Sequence, residues 1–193
     1  MRVLVLYAHP VETSYVAALH RVVVERLAAA GHAVDDCDLY AEGFEPVLSR
    51  AERIGYHAVP DNRAPVDGYV RRLLDAEALV IVHPVWNFGH PAILKGFVDR
   101  IFLPGVSFRI ENGRVRPNLH NVGKLAVVAT YGADRLRAFL AGDPPRRLAT
   151  RMLRATIRPG APVRYLAHYD MNRSTAATRA RFLARVDTAM SGF

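Results

Sequence analysis

ALVIVHPVWNFGHPAILKGFVDRIF, residues Ala78 to Phe102, changes character twice. It opens as an unbroken apolar run ending at His83-Pro84, the pattern of a strand buried on both faces of a sheet. It closes, from Pro91 to Ile101, with the period and leading proline of a helix. The turn between is unusual. A connection at the end of a buried strand is ordinarily small and polar, yet this one holds Trp86, the only tryptophan, and Phe88 around Asn87. Aromatic side chains there can cover a flat ligand while backbone amides and Asn87 bond its edge. They can equally cap the core beneath a loop.

Outward from this stretch the same alternation repeats. Val3–Tyr7 is a short apolar strand stopped by His9-Pro10, and Val16, Leu19, Val23, Leu27 and Ala30 follow at helical spacing up to Gly31. HAVDDCDLY is a second, more polar strand suited to a sheet edge. Ser49–Tyr56 and Val66–Asp75 read as helices with a proline-rich loop, Pro60 to Pro65, between them. KLAVVATYG and APVRYLAHY are the fourth and fifth strands, with helical pieces at Asp134–Leu140 and Arg146–Ala155 between them. Ser174–Met190 is the last helix, with Ser174 as its expected cap. In the irregular segment after Phe102, SFRIENGRVR carries Asn112-Gly113, a hairpin signal.

Five strands alternating with helices predict one α/β domain over residues 1–193, with an irregular insert at about 102–123. The expected architecture is a doubly wound five-stranded parallel sheet, order 2-1-3-4-5, with helices on both faces. Ligands in such sheets bind beyond the carboxyl ends of the strands, which singles out three loops: His9–Ser14, Pro84–His90 and Thr130–Asp134. The first, HPVETSY, can hold a phosphate on a helix N-terminus or be an ordinary cap. The third, TYGAD, can wrap a flat ligand's opposite edge or be a plain turn.

Composition narrows the field. With 51% hydrophobic and 23% charged residues the chain is globular. Cys37 is the only cysteine, which removes internal disulfides and CxxC sites. No run reaches the length of a membrane span, and MRVLVLYAHP reads as a strand and not a signal peptide, which favours the cytoplasm. The net charge of +8 lies wholly in residues 131–193, which hold 12 arginines and four aspartates. Without a helix-turn-helix pattern or interleaved aromatics, that excess reads as a solvated helical surface and not a nucleic-acid site. His83 and His90 lack a third ligand, so no metal is expected. The G-x-G-x-x-G and P-loop signatures and the G-x-S-x-G elbow are all absent.

LYAHPVETSY, DLYAEGFEPVLS and ALVIVHPVWNFGHPAILKGFVDRIF together resemble the flavodoxin-like NAD(P)H:quinone oxidoreductase family, which includes quinone reductases, modulators of drug activity and ancillary subunits of potassium-efflux systems. The resemblance implies a noncovalent flavin, FAD or alternatively FMN. His9, Thr13, Ser14 and Tyr15 would hold its phosphates. Pro84, Val85, Trp86, Asn87 and Phe88 would hold the ring edge, and Thr130, Tyr131 and Gly132 the other side. Trp86, Phe108 and Tyr131 would line the substrate pocket, Phe108 reaching a neighbour's site in a homodimer. The family's two glycines after the threonine are here Tyr131-Gly132, and its downstream tyrosine and histidine have no match in RLRAFLAGDPPRR, so no catalytic residue is assigned.

The implied function is two-electron transfer from NAD(P)H to a quinone-like acceptor by a ping-pong mechanism. The alternatives are a flavodoxin-type electron carrier and a flavin-binding peripheral subunit of a membrane transporter.

Overall fold

Val3, Leu4, Val5 and Leu6 are each no more than 1% exposed and form the middle of β1 (Arg2–Tyr7), the second strand of a five-stranded parallel sheet. The structure, a computed structural model, describes residues 1–193. β1 lies between β2 (Ala33–Asp38) and β3 (Ala78–Val85). A hairpin of β4 (Phe108–Glu111) and β5 (Arg114–Pro117) follows, then β6 (Lys124–Tyr131) and β7 (Val163–His168) complete the sheet. The order in chain numbering is β2-β1-β3-β6-β7. It differs from the expected 2-1-3-4-5 because the hairpin supplies two strands of its own. Asn112 and Gly113 both have positive φ at its tip, as a two-residue hairpin turn requires.

The period of two splits the sheet's side chains into two cores. Val3, Val5 and Tyr7 of β1, with Val80 and Val82 of β3, face α1 (Tyr15–Ala29) and α8 (Ala176–Ser191). Leu4 and Leu6, with Leu79 and Ile81, face the layer holding α2 (Arg50–Ile54), α3 (Asp67–Asp75) and α4 (Ala92–Ile101). No helix is long and apolar enough to cross a membrane.

α4 comes close to the chain after β2. An added Cβ at Gly96 would fall on the Pro46 carbonyl oxygen and ring and lie 2.6 Å from its Cα. Arg100, on the same helix, pairs with Glu52 of α2 at 2.5 Å with both side chains almost buried. On edge strand β2 only Cys37 is buried. Its thiol lies 3.8 Å from the Glu42 carboxylate, and burial pushes its pKa up to about 12. Arg72 of α3 clasps both Asp35 of β2 and Glu42.

Three local readings are corrected. The last helix is capped by Thr175, not Ser174: the Thr175 hydroxyl accepts from the Thr178 N–H, while Ser174 receives the Arg179 guanidinium. Pro60–Pro65 is not a plain loop, since Asp61–Val66 is a 3-10 helix feeding α3. The helical piece expected at Arg146–Ala155 starts earlier, at Pro144, and runs to Thr156 as two short helical pieces around a π-helical turn at Leu148–Leu153.

Candidate active site

β1, β3 and β6 end at one edge, so the loops that follow them meet there. In the first, Ser14 caps α1 by accepting from the Ala17 N–H at 3.1 Å. His9 Nδ1 accepts from the Val11 N–H at 3.0 Å, which in the neutral imidazole leaves Nε2–H as a donor. Burial lowers the pKa of His9 and favours that neutral form. The N–H groups of Thr13, Tyr15 and Val16 make no hydrogen bond within the chain. They are open donors at the positive end of a helix, the arrangement that takes a phosphate. The Tyr15 hydroxyl donates to the Arg179 carbonyl of α8 at 2.7 Å, tying the start of α1 to the last helix.

The second loop is a tight reversal. Trp86 and Gly89 exchange two backbone hydrogen bonds, and both central residues, Asn87 and Phe88, have positive φ (49° and 59°). Asparagine tolerates this conformation, whereas phenylalanine adopts it at a cost of about 1–2 kcal/mol. The turn holds the rings of Trp86 and Phe88 outward, 41% and 39% exposed, and leaves the Asn87 and Phe88 N–H groups without a partner in the chain. The core-cap reading of Trp86 is thus removed, and its ring instead lies 5.8 Å from that of His9. Pro84 is buried and Val85 half-buried beneath the turn.

Beneath this turn two imidazoles face each other at 4.8 Å. His83 is wholly buried and its Nδ1–H donates to the Pro84 carbonyl at 2.8 Å, but its Nε2 has no partner. Burial lowers His83 to about 3 and His90 to about 4.

The third loop divides. Thr130, buried and aligned with Pro84 and His168, lies at the carboxyl edge. Tyr131, one residue on, points to the opposite face of the sheet. Its hydroxyl bonds Asp143 at 2.7 Å and Tyr165 at 2.5 Å, and its ring packs on Tyr169. Its place in the substrate pocket is therefore corrected: at 1% exposure the side chain is core. Only its backbone and that of Gly132 can border the cleft. Phe108, half-buried at the start of β4, makes no ring contact with the three loops.

Two residues complete the edge. His168 packs edge-on against Tyr15 at 5.8 Å, with its Nδ1 unpartnered. It borders a hollow of about 330 Å³ shared with Asp170, Arg173 and Ser174. The Asn172 amide would meet a Cβ at Gly132 at 3.4 Å, so it walls the third loop. His168 was detectable as a histidine at a strand end; Asn172 carried no signal.

The chain matches the family described as flavodoxin-like fold over residues 1–184. It is 36% identical over 120 residues to the ribosyldihydronicotinamide dehydrogenase-like protein traD of Penicillium crustosum, a match covering 54% of this chain and 45% of that protein. It is 31% identical over 151 residues to NAD(P)H dehydrogenase [quinone] 1 of Cavia porcellus, covering 70% and 55% respectively. The chain thus spans about half the length of these curated relatives. NAD(P)H:quinone oxidoreductase from Methanothermobacter marburgensis superposes with a TM-score of 0.83 at 22% identity, covering 99% of this chain and 98% of that one. An FMN-dependent NADH-azoreductase from Bacillus anthracis str. Ames Ancestor, in complex with FMN, gives 0.79 at 15% identity, covering 99% and 98%. At these identities the structural likeness is one of fold.

Proposed function

The chain belongs to the flavodoxin-like fold family, and on that premise we propose that it is a flavin-dependent oxidoreductase carrying two electrons from NAD(P)H to a quinone or similar acceptor. The observation that carries the reading is the union of two donor sets at one sheet edge. Free N–H groups head α1, and free N–H groups of Asn87 and Phe88 lie in a turn joined to the first loop by the His9–Trp86 contact. The names of the relatives and the FMN held by a structural neighbour support it.

A bound flavin supplies the redox chemistry; the chain binds it, orients it and excludes water. Thr13, Ser14, Tyr15 and His9 Nε2–H would hold the phosphate. The Asn87 and Phe88 N–H groups and the Asn87 carboxamide would meet the polar edge of the ring, with Pro84, Val85 and Thr130 beneath and Gly132 beside it. Trp86 and Phe88 would wall the slot that NAD(P)H and the acceptor occupy in turn, which is the ping-pong order. FAD is the proposed flavin, since the hollow beside His168 offers room past Tyr15 for a second nucleotide; FMN is the alternative.

A homodimer is also proposed. On α5 (Arg135–Leu140), next to the third loop, Leu136, Phe139 and Leu140 are 66–73% exposed, an apolar face suited to a second copy.

The test is the visible spectrum of the purified chain after incubation with each flavin and desalting. Retained bands, bleached by NADH or NADPH and restored by a quinone, are expected. Retention without NAD(P)H oxidation would make the chain an electron carrier, and no retention of either flavin would overturn the proposal. Light scattering reads the dimer.

A further inference from the structure

The basic excess of the chain is concentrated in one place. Residues 144–160 hold five arginines and no acid, and most of this stretch is the helical run from Pro144 to Thr156. Its winding decides where the arginines point. The π turn at Leu148–Leu153 closes i→i+5 bonds and is wider than an α turn, so the period of the run stretches from 3.6 residues to four. Pro145, Ala149, Leu153 and Ile157 are accordingly all buried, at intervals of four. Arg146 and Arg154 form the next row and Arg147 and Arg151 the one after, all four exposed. In a regular α-helix these rows would drift around the axis by about 40° at each turn. Here they stay on one side.

The chain itself gains nothing from this placement. Arg146 lies over the Tyr165 ring at 5.2 Å and Arg158 donates to the His120 carbonyl at 3.0 Å, whereas the side chains of Arg147, Arg151 and Arg154 make no hydrogen bond or ion pair. Arg147 and Arg151 are like charges four apart, Arg151 and Arg154 three apart, and each pair weakens a helix. Arg146 and Arg147 also sit in the first turn, at the end of a helix that already carries positive charge. The Arg154–Thr156 turn packs beside β5, whose Arg114 and Arg116 extend the positive charge. The one acid of that hairpin, Glu111, is taken by Arg109 at 2.6 Å. Exposed apolar side chains accompany the arginines: Met152 on the run, 37% exposed, and Val115 between the two arginines of β5, 68% exposed.

We propose that this face docks on an anionic lipid bilayer. The guanidinium forks of Arg147, Arg151 and Arg154 would bond lipid phosphates, and Met152 and Val115 would reach the acyl boundary. Apolar side chains gain little against a nucleic-acid backbone, so the pairing of the two favours a membrane. The apolar face of α5, proposed to meet a second copy, is not part of this surface. Binding needs no flavin, so its failure and that of the redox reading are separate results.

The purified full-length chain is spun with phosphatidylcholine vesicles, with and without phosphatidylglycerol, over a range of salt. Pelleting with the anionic vesicles only, lost as salt rises, is expected. Arg147→Gln/Arg151→Gln/Arg154→Gln should lower the partition coefficient by about tenfold or more, with the Tm held or raised because like charges are removed. Arg21→Gln/Arg181→Gln/Arg185→Gln takes the same charge from α1 and α8, on the other face of the sheet, and should lower it far less. No pelleting, equal pelleting with both vesicles, or equal losses in the two triple variants would overturn the proposal. Full release from the vesicles by a charge-equivalent amount of mixed-sequence DNA duplex would also overturn it, and would make the face a nucleic-acid site.

Discussion

The Tyr131 hydroxyl donates to the Asp143 carboxylate across 2.7 Å, and Tyr165, 2.5 Å away, donates to Tyr131 in turn. The chain of three joins the end of β6 to β7 and to the break before α6 (Pro144–Arg147), where Asp143 holds a left-handed φ of 45°. Tyr131→Phe strands one donor and one acceptor. It should cost about 1–3 kcal/mol in chemical denaturation while leaving unchanged the KM for NAD(P)H and acceptor in the proposed reaction. A raised KM with unaltered stability would return Tyr131 to the substrate pocket.

Phe88→Gly separates stability from function. Glycine relieves the positive φ at no steric cost, and the lost ring is already partly exposed. Stability should hold or rise by up to about 1 kcal/mol, while flavin retention on desalting falls. A large loss of stability would mean that the ring packs more than its exposure indicates.

Gly96→Ala is expected to destabilise by more than about 2 kcal/mol, because the new methyl meets Pro46 backbone and ring and α4 must move away from it. Thermal melts of Gly96→Ala beside Gly68→Ala, where an added Cβ meets nothing within 4 Å, provide the measure and the control. Equal melting temperatures would refute the close contact.

The His83–His90 pair sets a pH dependence. In the folded chain burial holds them at about 3 and about 4, the charge of each one's neighbour adding to the effect. Unfolded, both titrate near about 6.5. Below that value the unfolded state binds more protons, so stability is full above about pH 6.5 and falls as pH drops toward 4. The Tm should decline over this range, and His90→Gln should flatten the decline. A flat profile in the parent chain would show that the two imidazoles are hydrated.

Much of this was readable in advance where a physical constraint is local. Ser14 could be read as a cap, Asn112-Gly113 as a hairpin and ALVIVHP as a doubly buried strand because each depends on its own neighbours. Tyr131 was misplaced although the strand's period of two, carried from Leu125 and Val127 through Ala129, assigns it to the face away from Thr130. A resemblance in which the position is a glycine had no side chain to orient. Asn172 reaches the third loop from an element that only the sheet brings near, and no spacing announces it; His83 and His90 stand out in the sequence as a pair, but their contact depends on the tight Trp86–Gly89 reversal between them. Thr175 took the cap from Ser174 because Thr178 can reciprocate only one position on.

Cys37 has a consequence for chemical survival. Quinones are electrophiles as well as oxidants, and the species they arylate is a thiolate. The only sulfhydryl in the chain lies beneath the sheet edge, covered by the Arg72 clasp and kept protonated well above neutrality. On the proposed function, such an arrangement would keep the chain's single thiol out of reach of electrophilic acceptors during turnover.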